Sequence, residues 1–340
     1  MKRLIELKKV LEEKINKSSK VFITGHQDPD FDSLASSLGV DTLCKILNKE
    51  SYIILEEYNI QPNLLRIKND IETKFNFINS KMINNKIDNN SLLIMIDVNK
   101  ENLLPIKEAH LFKNIVIIDH HKTDKNTLNA DHKYIDLNSS STSEIITDIL
   151  DKYNSSLFNK EVANLLLAGI ILDTNRFSKN TSSKTIDTVK MLINKGASMD
   201  YVNNLFLREF ESDKKISNLV FYGTSFKTFQ KESFQNKNIA FTLNRENPKT
   251  IYRKEEIAIA ADKLLKYEVD ASFVLGYINN STISISARSK SDIDVADVMS
   301  SLDTIQGGGN KYSAGGRTSN KDLFETEKEI ISGIQKYLKK

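Results

Sequence analysis

Four short apolar runs set the strongest limit on what this chain can fold into. KVFITG (Lys20–Gly25), SYIILEE (Ser51–Glu57), SLLIMID (Ser91–Asp97) and NIVIIDHH (Asn114–His121) are almost continuously hydrophobic. A strand that is apolar on both faces is buried on both faces, which is the condition of a parallel sheet covered above and below. Stretches with helical spacing lie between the runs, such as Asp32–Asn48, whose apolar residues recur near i, i+3 and i+4. The pattern predicts an α/β fold with an N-terminal doubly wound domain built on a mostly parallel sheet. In such sheets ligands bind beyond the carboxyl ends of the strands. The residues richest in chemistry here each follow an apolar run.

At 340 residues the chain is long enough for two domains with buried cores. Its 39% hydrophobic and 27% charged residues are those of a soluble globular protein, and a net charge of +3 is too small to favour long duplex nucleic acid or a membrane surface as partner. The longest apolar run, LLLAGIIL at Leu165–Leu172, is less than half of a bilayer span of roughly 20 residues. The opening MKRLIELKKVLEEKINKSSK reads as an amphipathic charged helix and not as a signal peptide, because no apolar stretch follows its basic residues. A single cysteine, Cys44, excludes an intramolecular disulfide and a cysteine-based zinc site. The expectation is a cytoplasmic protein with Cys44 in a helix core.

After His121 the pattern turns mainly helical. STSEIITDILDKY opens with Ser141 and Glu144 at capping-box spacing, and SSKTIDTVKMLINKG closes on Gly196 as a helix C-cap. Asn76–Asn90 reads as a surface loop. The polar, weakly periodic GTSFKTFQKESFQNKN is expected to be a linker (223–238) dividing a first domain (1–222) from a smaller α/β domain (239–340). In the latter, NIAFTL is a strand, EEIAIAADKLLKY a helix, and ASFVLGYINNSTISISARS a hairpin turning at Asn279-Asn280. IDVADVMSSL is a helix, and a terminal helix lies near Leu323–Leu338. Between them the glycine-rich GGGNKYSAGGR (Gly307–Arg317) lacks the order of a P-loop. It reads either as a loop whose N–H groups face an anion or as a flexible turn between helices.

Four places carry comparable chemistry: His26 with Asp28, Asp30 and Asp32; Asp97; Asp119-His120-His121; and Asp173. Carboxylates so crowded repel one another unless a cation sits among them. Carboxylate and imidazole without thiolate suit Mn²⁺ or Mg²⁺. The number of candidate ligands favours two ions, which at roughly 3.5–4 Å apart need a shared carboxylate, and Asp97 is the natural bridge. Blander roles exist for single residues. Asp32 is suited to capping the helix that begins at Ser33, and Asp28 to bracing the Pro29 turn. His110 and His132 read as surface residues. The conjunction of four such places favours the metal reading.

HQDPDFDS, IMID, IDHH and LDTNRF resemble the motifs of the DHH phosphoesterase superfamily, and the C-terminal part resembles the associated DHHA1 domain through its ARS and GGG elements. GHQDPDFDSLASSLGV, SSSTSEIITDIL, LLAGIILDTNRF and TISISARS are most similar to the cyclic-di-AMP phosphodiesterases, with the nanoRNase and pAp-phosphatase branch close behind. The resemblance implies one Mn²⁺ held by His26, Asp30 and Asp97 and a second by Asp32, Asp97, His120 and Asp173. It implies Asp97 and His121 as catalytic residues, with His121 beside the substrate phosphate, and Asp119 orienting an imidazole. Arg288 would grip a phosphate, and Gly307, Gly308, Gly309 and Asn310 would help hold the nucleotide. It further implies an active site in a cleft between the domains and a short substrate (cyclic dinucleotide, pApA, nanoRNA or pAp). Manganese pyrophosphatase and a non-catalytic nucleotide-binding regulator are the remaining readings, and a homodimer is compatible with all of them. Three departures stand out: Asn310 where the family has the histidine of GGGH, Ala35 where glycine is common, and Asn99 where relatives often have histidine.

Overall fold

The computed structural model describes residues 2–57, 60–207, 210–230, 236–319 and 321–339. Two compact units emerge, Met1–Leu207 and Arg208–Lys340.

The first unit is built on strands β1 (Val21–Thr24), β2 (Ser51–Ile54), β3 (Phe77–Ile78), β4 (Leu92–Ile96), β5 (Asn114–Asp119) and β6 (His132–Ile135). They form one parallel sheet in the order β3-β2-β1-β4-β5-β6. Strand order therefore reverses between β1 and β4, the switch point where open α/β sheets bind ligands. The continuous apolar runs sort by alternation. Val21, Ile23, Leu92, Ile94, Ile96, Val116 and Ile118 face one core, while Phe22, Leu93, Met95, Ile115 and Ile117 face another.

The first core is closed by helices α1 (Lys2–Lys17), α2 (Phe31–Ile46), α3 (Pro62–Ile71), α4 (Thr142–Leu150), α5 (Lys160–Asp173), α6 (Ser183–Asn194) and α7 (Met199–Leu205), each of which contributes side chains to it. Leu7, Leu11 and Ile15 form the buried stripe of α1, and burial of each contributes about 1.5–3 kcal/mol. Cys44 lies fully buried on α2. The second core is covered differently, by Ile83, Val98, Leu104, Ile106, Ala109 and Phe112 from the irregular connections that lead into and out of β4. The sheet is wound on both faces, with helices on one and short 3₁₀ turns and loops on the other. The stretch expected as a surface loop, Asn76–Asn90, carries β3 and a 3₁₀ turn.

The second unit holds β7 (Thr224–Gln230), β8 (Asn236–Thr242), β9 (Ala271–Tyr277), β10 (Thr282–Ser289), β11 (Gln306–Asn310) and β12 (Ser313–Ser319) in the order β11-β12-β10-β9-β8-β7. Only the β8–β9 pairing is parallel among those described. Helices α10 (Val295–Ser300) and α11 (Leu323–Leu338) cover one face, and α8 (Phe210–Tyr222) and α9 (Lys254–Leu264) the other. The Asn279-Asn280 hairpin forms as expected, with Asn279 Oδ1 accepting from Ser281 N and Thr282 N at 3.0 and 2.8 Å.

The expected boundary is corrected here. Segment 223–238 is not a linker: β7 occupies 224–230 and pairs antiparallel with β8, while 231–235 lie outside the described residues. Helix α8, assigned from sequence to the first domain, packs Ile216, Leu219 and Val220 against Ala240, Ile257, Ala260 and Val274, so it joins the second unit. A second correction concerns the glycine-rich stretch, which is neither an open loop nor a helix-to-helix turn. It is the hairpin β11–β12, with Gly307 opposite Gly316 and Gly308 opposite Gly315.

Candidate metal centre

The chain leaves β1 through His26 and enters α2 at Asp30, whose side chain caps the helix: Oδ1 accepts from Asp32 N and Ser33 N at 2.9 and 3.0 Å. The cap is therefore Asp30 and not Asp32. Asp32, in the first turn and fully buried, points instead at the start of α4. Its Oδ2 accepts from Thr142 N and its Oδ1 from Ser143 N, both at 2.8 Å. A helix N-terminus leaves its first N–H groups without partners and favours negative charge, so α4 fixes this carboxylate with two donors. Ser141 caps α4 by accepting from Glu144 N at 3.1 Å, whereas the Glu144 carboxylate turns to Ser140, Thr185 and Lys184. The close approach requires Gly169 on α5, where a Cβ would stand 2.2 Å from Ser143 Oγ and 2.9 Å from Asp32 Oδ1.

Asp97 follows β4 with φ +58°, in the left-handed region that aspartate tolerates better than most residues. Strain of this kind collects where a side chain must be aimed. Thr142 Oγ1 donates to Asp97 Oδ1 at 3.2 Å. Thr142 thus touches both carboxylates, Asp32 through its backbone and Asp97 through its hydroxyl.

Strand β5 ends on buried Asp119, which organises the two histidines. Its Oδ1 accepts from His120 N (2.7 Å), His121 N (3.1 Å) and His121 Nδ1 (2.8 Å), and its Oδ2 from Asn99 Nδ2 (2.6 Å). Asn99 therefore holds the carboxylate that holds His121.

These elements bring together all six residues expected to bind metal. Three overlapping donor groups form, each with ligand atoms within 4.8 Å of one another: His26, Asp30 and Asp97; Asp97, His120 and His121; and Asp32, His120 and Asp173. His26 Nε2 lies 3.5 Å from Asp97 Oδ2, and His120 Nε2 lies 3.5 Å from Asp97 Oδ1, so the two oxygens of Asp97 face different imidazoles. Among the described residues, Asp28 enters none of the three groups.

The electrostatics are those of a cation site. Burial pushes the Asp32 carboxyl well up, and the charges of Asp97 and Asp173 add to it. Burial also raises Asp173, against the pull of His120. At Asp30 burial is outweighed by His26, and the carboxyl is held below its usual range. Burial opposes charge on the imidazoles, yet the carboxylates win at each: His26 and His121 are raised, and His120 is raised to about 10. His120 Nε2 is buried and, although 3.0 Å from Asp173 Oδ2, makes no aligned hydrogen bond. An imidazole nitrogen and a carboxylate that converge without bonding each other fit two ligands of one ion. Oxygen and nitrogen donors without thiolate fit Mn²⁺ or Mg²⁺.

Two family models match the chain, the DHH family N-terminal domain over residues 20–170 and the DHHA1 domain over 236–340. The chain carries a DHH-family N-terminal domain and a DHHA1 domain. It is 30% identical to the cyclic-di-AMP phosphodiesterase PdeA of Listeria monocytogenes across 98% of this chain and 50% of that protein. The chain thus spans about half the length of the curated relatives it matches. Its fold is that of an exopolyphosphatase-related protein from Bacteroides fragilis (TM-score 0.77, 19% identity, 99% of this chain and 97% of that one). Exonuclease RecJ bound to manganese shares the fold more loosely (TM-score 0.54, 12% identity, 98% and 94%). Among the described residues no helix is long and apolar enough to cross a membrane.

In the DHHA1 domain, Arg288 is already engaged. Its Nε donates to Asp262 Oδ1 at 3.0 Å, and its Nη1 to Ser286 Oγ and Ala287 O at 2.9 and 3.0 Å. Nη2 carries none of these bonds. Asn310, where the DHH family resemblance placed a histidine, closes the β11–β12 turn by accepting from Tyr312 N and Ser313 N at 2.9 and 3.0 Å. Gly307 and Gly316 are packed under Met299 of α10, whereas a Cβ at Gly308 would meet nothing within 4 Å. In the DHH domain the residues missed from sequence are Thr142 and Ser143. The capping-box spacing at Ser141 marked a helix N-terminus there, but not the carboxylate it would receive.

Proposed function

We propose that this chain is a manganese-dependent phosphodiesterase that hydrolyses cyclic-di-AMP, its linear product pApA, or both. The observation that carries the reading is Asp97, whose two carboxylate oxygens face His26 on one side and His120 on the other. That arrangement supports one ion held by His26, Asp30 and Asp97 and a second held by Asp32, Asp97, His120 and Asp173. The name of the Listeria relative supports the substrate class, and the manganese in RecJ supports the metal. Bound there, two divalent ions supply an activated water near neutral pH and neutralise phosphoryl charge.

The protein's own groups do the rest. Thr142 and the start of α4 hold Asp32 and Asp97 in place. Asp119 takes the Nδ1–H of His121, which leaves Nε2 to meet a substrate oxygen and to move a proton at that atom. His121 is the most open of the cluster's histidines, with its side chain 56% exposed. Arg288, whose Nη2 makes no hydrogen bond among the described residues, is suited to a phosphate, and the open Gly308 backbone to a nucleotide.

A side-by-side assay tests this. The purified chain with Mn²⁺ is offered cyclic-di-AMP, pApA, short RNA, pAp and pyrophosphate. Turnover of cyclic-di-AMP or pApA above the others is expected. Preference for pAp or short RNA would move the chain to the nanoRNase branch, and turnover of pyrophosphate alone would sink the phosphodiesterase reading.

A further inference from the structure

Directly after the ligand Asp173 and the buried Thr174, the backbone turns left-handed for three residues in a row. Asn175, Arg176 and Phe177 have φ of +45°, +57° and +64°. Residues other than glycine visit this region singly, so a run of three persists only where its surroundings impose it, and such strain gathers at ligand clamps. The imposing contacts are present. Arg176 N donates to Ile171 O at 2.8 Å, Phe177 N to Thr174 Oγ1 at 3.1 Å, and Ser178 N to Thr174 O at 2.9 Å. Phe177 packs against the helical core.

The consequence is that Arg176 stands exposed three residues beyond Asp173 and not in line with α5. Its Nη1 donates to Asn203 Oδ1 at 2.7 Å, and its guanidinium lies 5.5 Å from the ring centre of Phe206. Phe206 in turn packs at 4.6 Å on Phe31, the residue between Asp30 and Asp32. The neighbouring Leu205 O accepts from Asn63 Nδ2 at the start of α3, the helix that follows β2. These contacts set Arg176 at the carboxyl edge of the sheet, where ligands bind. Among the described residues, both partners of the guanidinium are neutral, so it is oriented without its charge being matched.

We propose that Arg176 binds a second phosphate of the substrate while the first lies at the cluster of Asp97 and its neighbours. The inference rests on the phosphodiesterase reading above. It makes Arg176 the residue that favours nucleotides with two phosphates over a single phosphodiester, through the planar fork that suits phosphoryl oxygens.

The test compares wild type, Arg176→Ala, Arg176→Lys and Arg176→Gly. Two readouts are used: binding of fluorescent cyclic-di-AMP in EDTA, and Mn²⁺-dependent hydrolysis of cyclic-di-AMP and of bis(4-nitrophenyl) phosphate, which carries one phosphate. Losing a hydrogen bond to a charged group should weaken cyclic-di-AMP binding by about 10- to 100-fold, and the loss of kcat/KM on cyclic-di-AMP should exceed that on the single diester by about tenfold. The lysine variant should fall in between. The glycine variant suits the left-handed backbone, so it should keep the melting temperature and still bind weakly. Equal losses on both substrates, or unaltered binding in the alanine and glycine variants, would overturn the proposal alone. A wild-type chain that neither binds nor cleaves any of these compounds would overturn the functional reading and this inference together.

Discussion

The cluster around Asp97 and the corner around Arg288 are built on opposite electrostatic plans. In the DHH domain, Asp32 and Asp97 are buried among Asp30, Asp173 and three imidazoles, and their fixed donors are backbone N–H groups and one hydroxyl. Those donors orient the carboxylates without cancelling them. In the DHHA1 domain, Arg288 meets an opposite charge at once in Asp262, and its neighbours Ser286 and Ala287 O satisfy further N–H groups. On the proposed reading, a site for an ion keeps like charges together and aims them with neutral donors, while a site for a substrate phosphate already has its guanidinium matched by a carboxylate. Substitutions should therefore act through ion binding in the first region and through substrate affinity or local packing in the second.

The sharpest way to break this contrast is Asp97→Asn. Asparagine tolerates the left-handed backbone and still accepts from Thr142, so the change removes the shared negative charge with little else. Activity with Mn²⁺ should fall by about 10³-fold or more, the scale of groups that act directly on transition-state charge. Wild-type protein in saturating Mn²⁺ should gain about 5 °C or more in Tm over protein in EDTA, and the variant should lose most of that gain. A variant that keeps the full Mn²⁺-dependent shift would show that Asp97 is not an ion ligand.

Thr142 sharpens the comparison further, because it separates aiming from charge. Thr142→Val keeps the N–H that holds Asp32 and removes the hydroxyl that holds Asp97. Apparent Mn²⁺ affinity, read by calorimetry, should drop by about 10- to 100-fold, as for other groups that orient a metal ligand. Thr142→Ser should restore most of it. Unchanged affinity in the valine variant would mean that the left-handed turn at Asp97 suffices to aim it.

The contrast also explains what was legible in the sequence. The strands β1, β2, β4 and β5 announce themselves because a strand buried on both faces is almost wholly apolar, so the charged residues that follow β1 and β4 and end β5 are conspicuous. Strand β3 has only Phe77 and Ile78, and β7, TSFKTFQ, is an edge strand with most side chains open to solvent, so neither has an apolar run to mark it. That is why a linker was expected at 223–238. The platform of Thr142 and Ser143 is hidden for another reason: it meets Asp32 across 110 and 111 residues of chain, and local pattern carries no trace of so distant a pairing. Conversely, the plainer role open to Asp32, capping α2, is filled by Asp30, and Asp32 turns to α4 instead.

The smallest expected effect probes the DHHA1 side, through two adjacent glycines in one strand. Gly309 has φ +153°, and a Cβ there would fall 2.4 Å from Ser313 O and 2.6 Å from Ala314 Cα. Gly309→Ala should cost roughly 1–3 kcal/mol of stability from backbone strain alone. At Gly308 a Cβ would meet nothing within 4 Å. Gly308→Ala should therefore change stability by no more than about 0.5 kcal/mol, so any kinetic effect must come from the substrate. If the open backbone of β11 lies against a nucleotide, the added methyl raises KM several-fold at unchanged Tm and unchanged Mn²⁺ affinity. If KM stays level, the run of glycines is explained by its tight pairing and by the Met299 side chain that overlies Gly307 and Gly316, and the phosphate-facing reading of this hairpin falls.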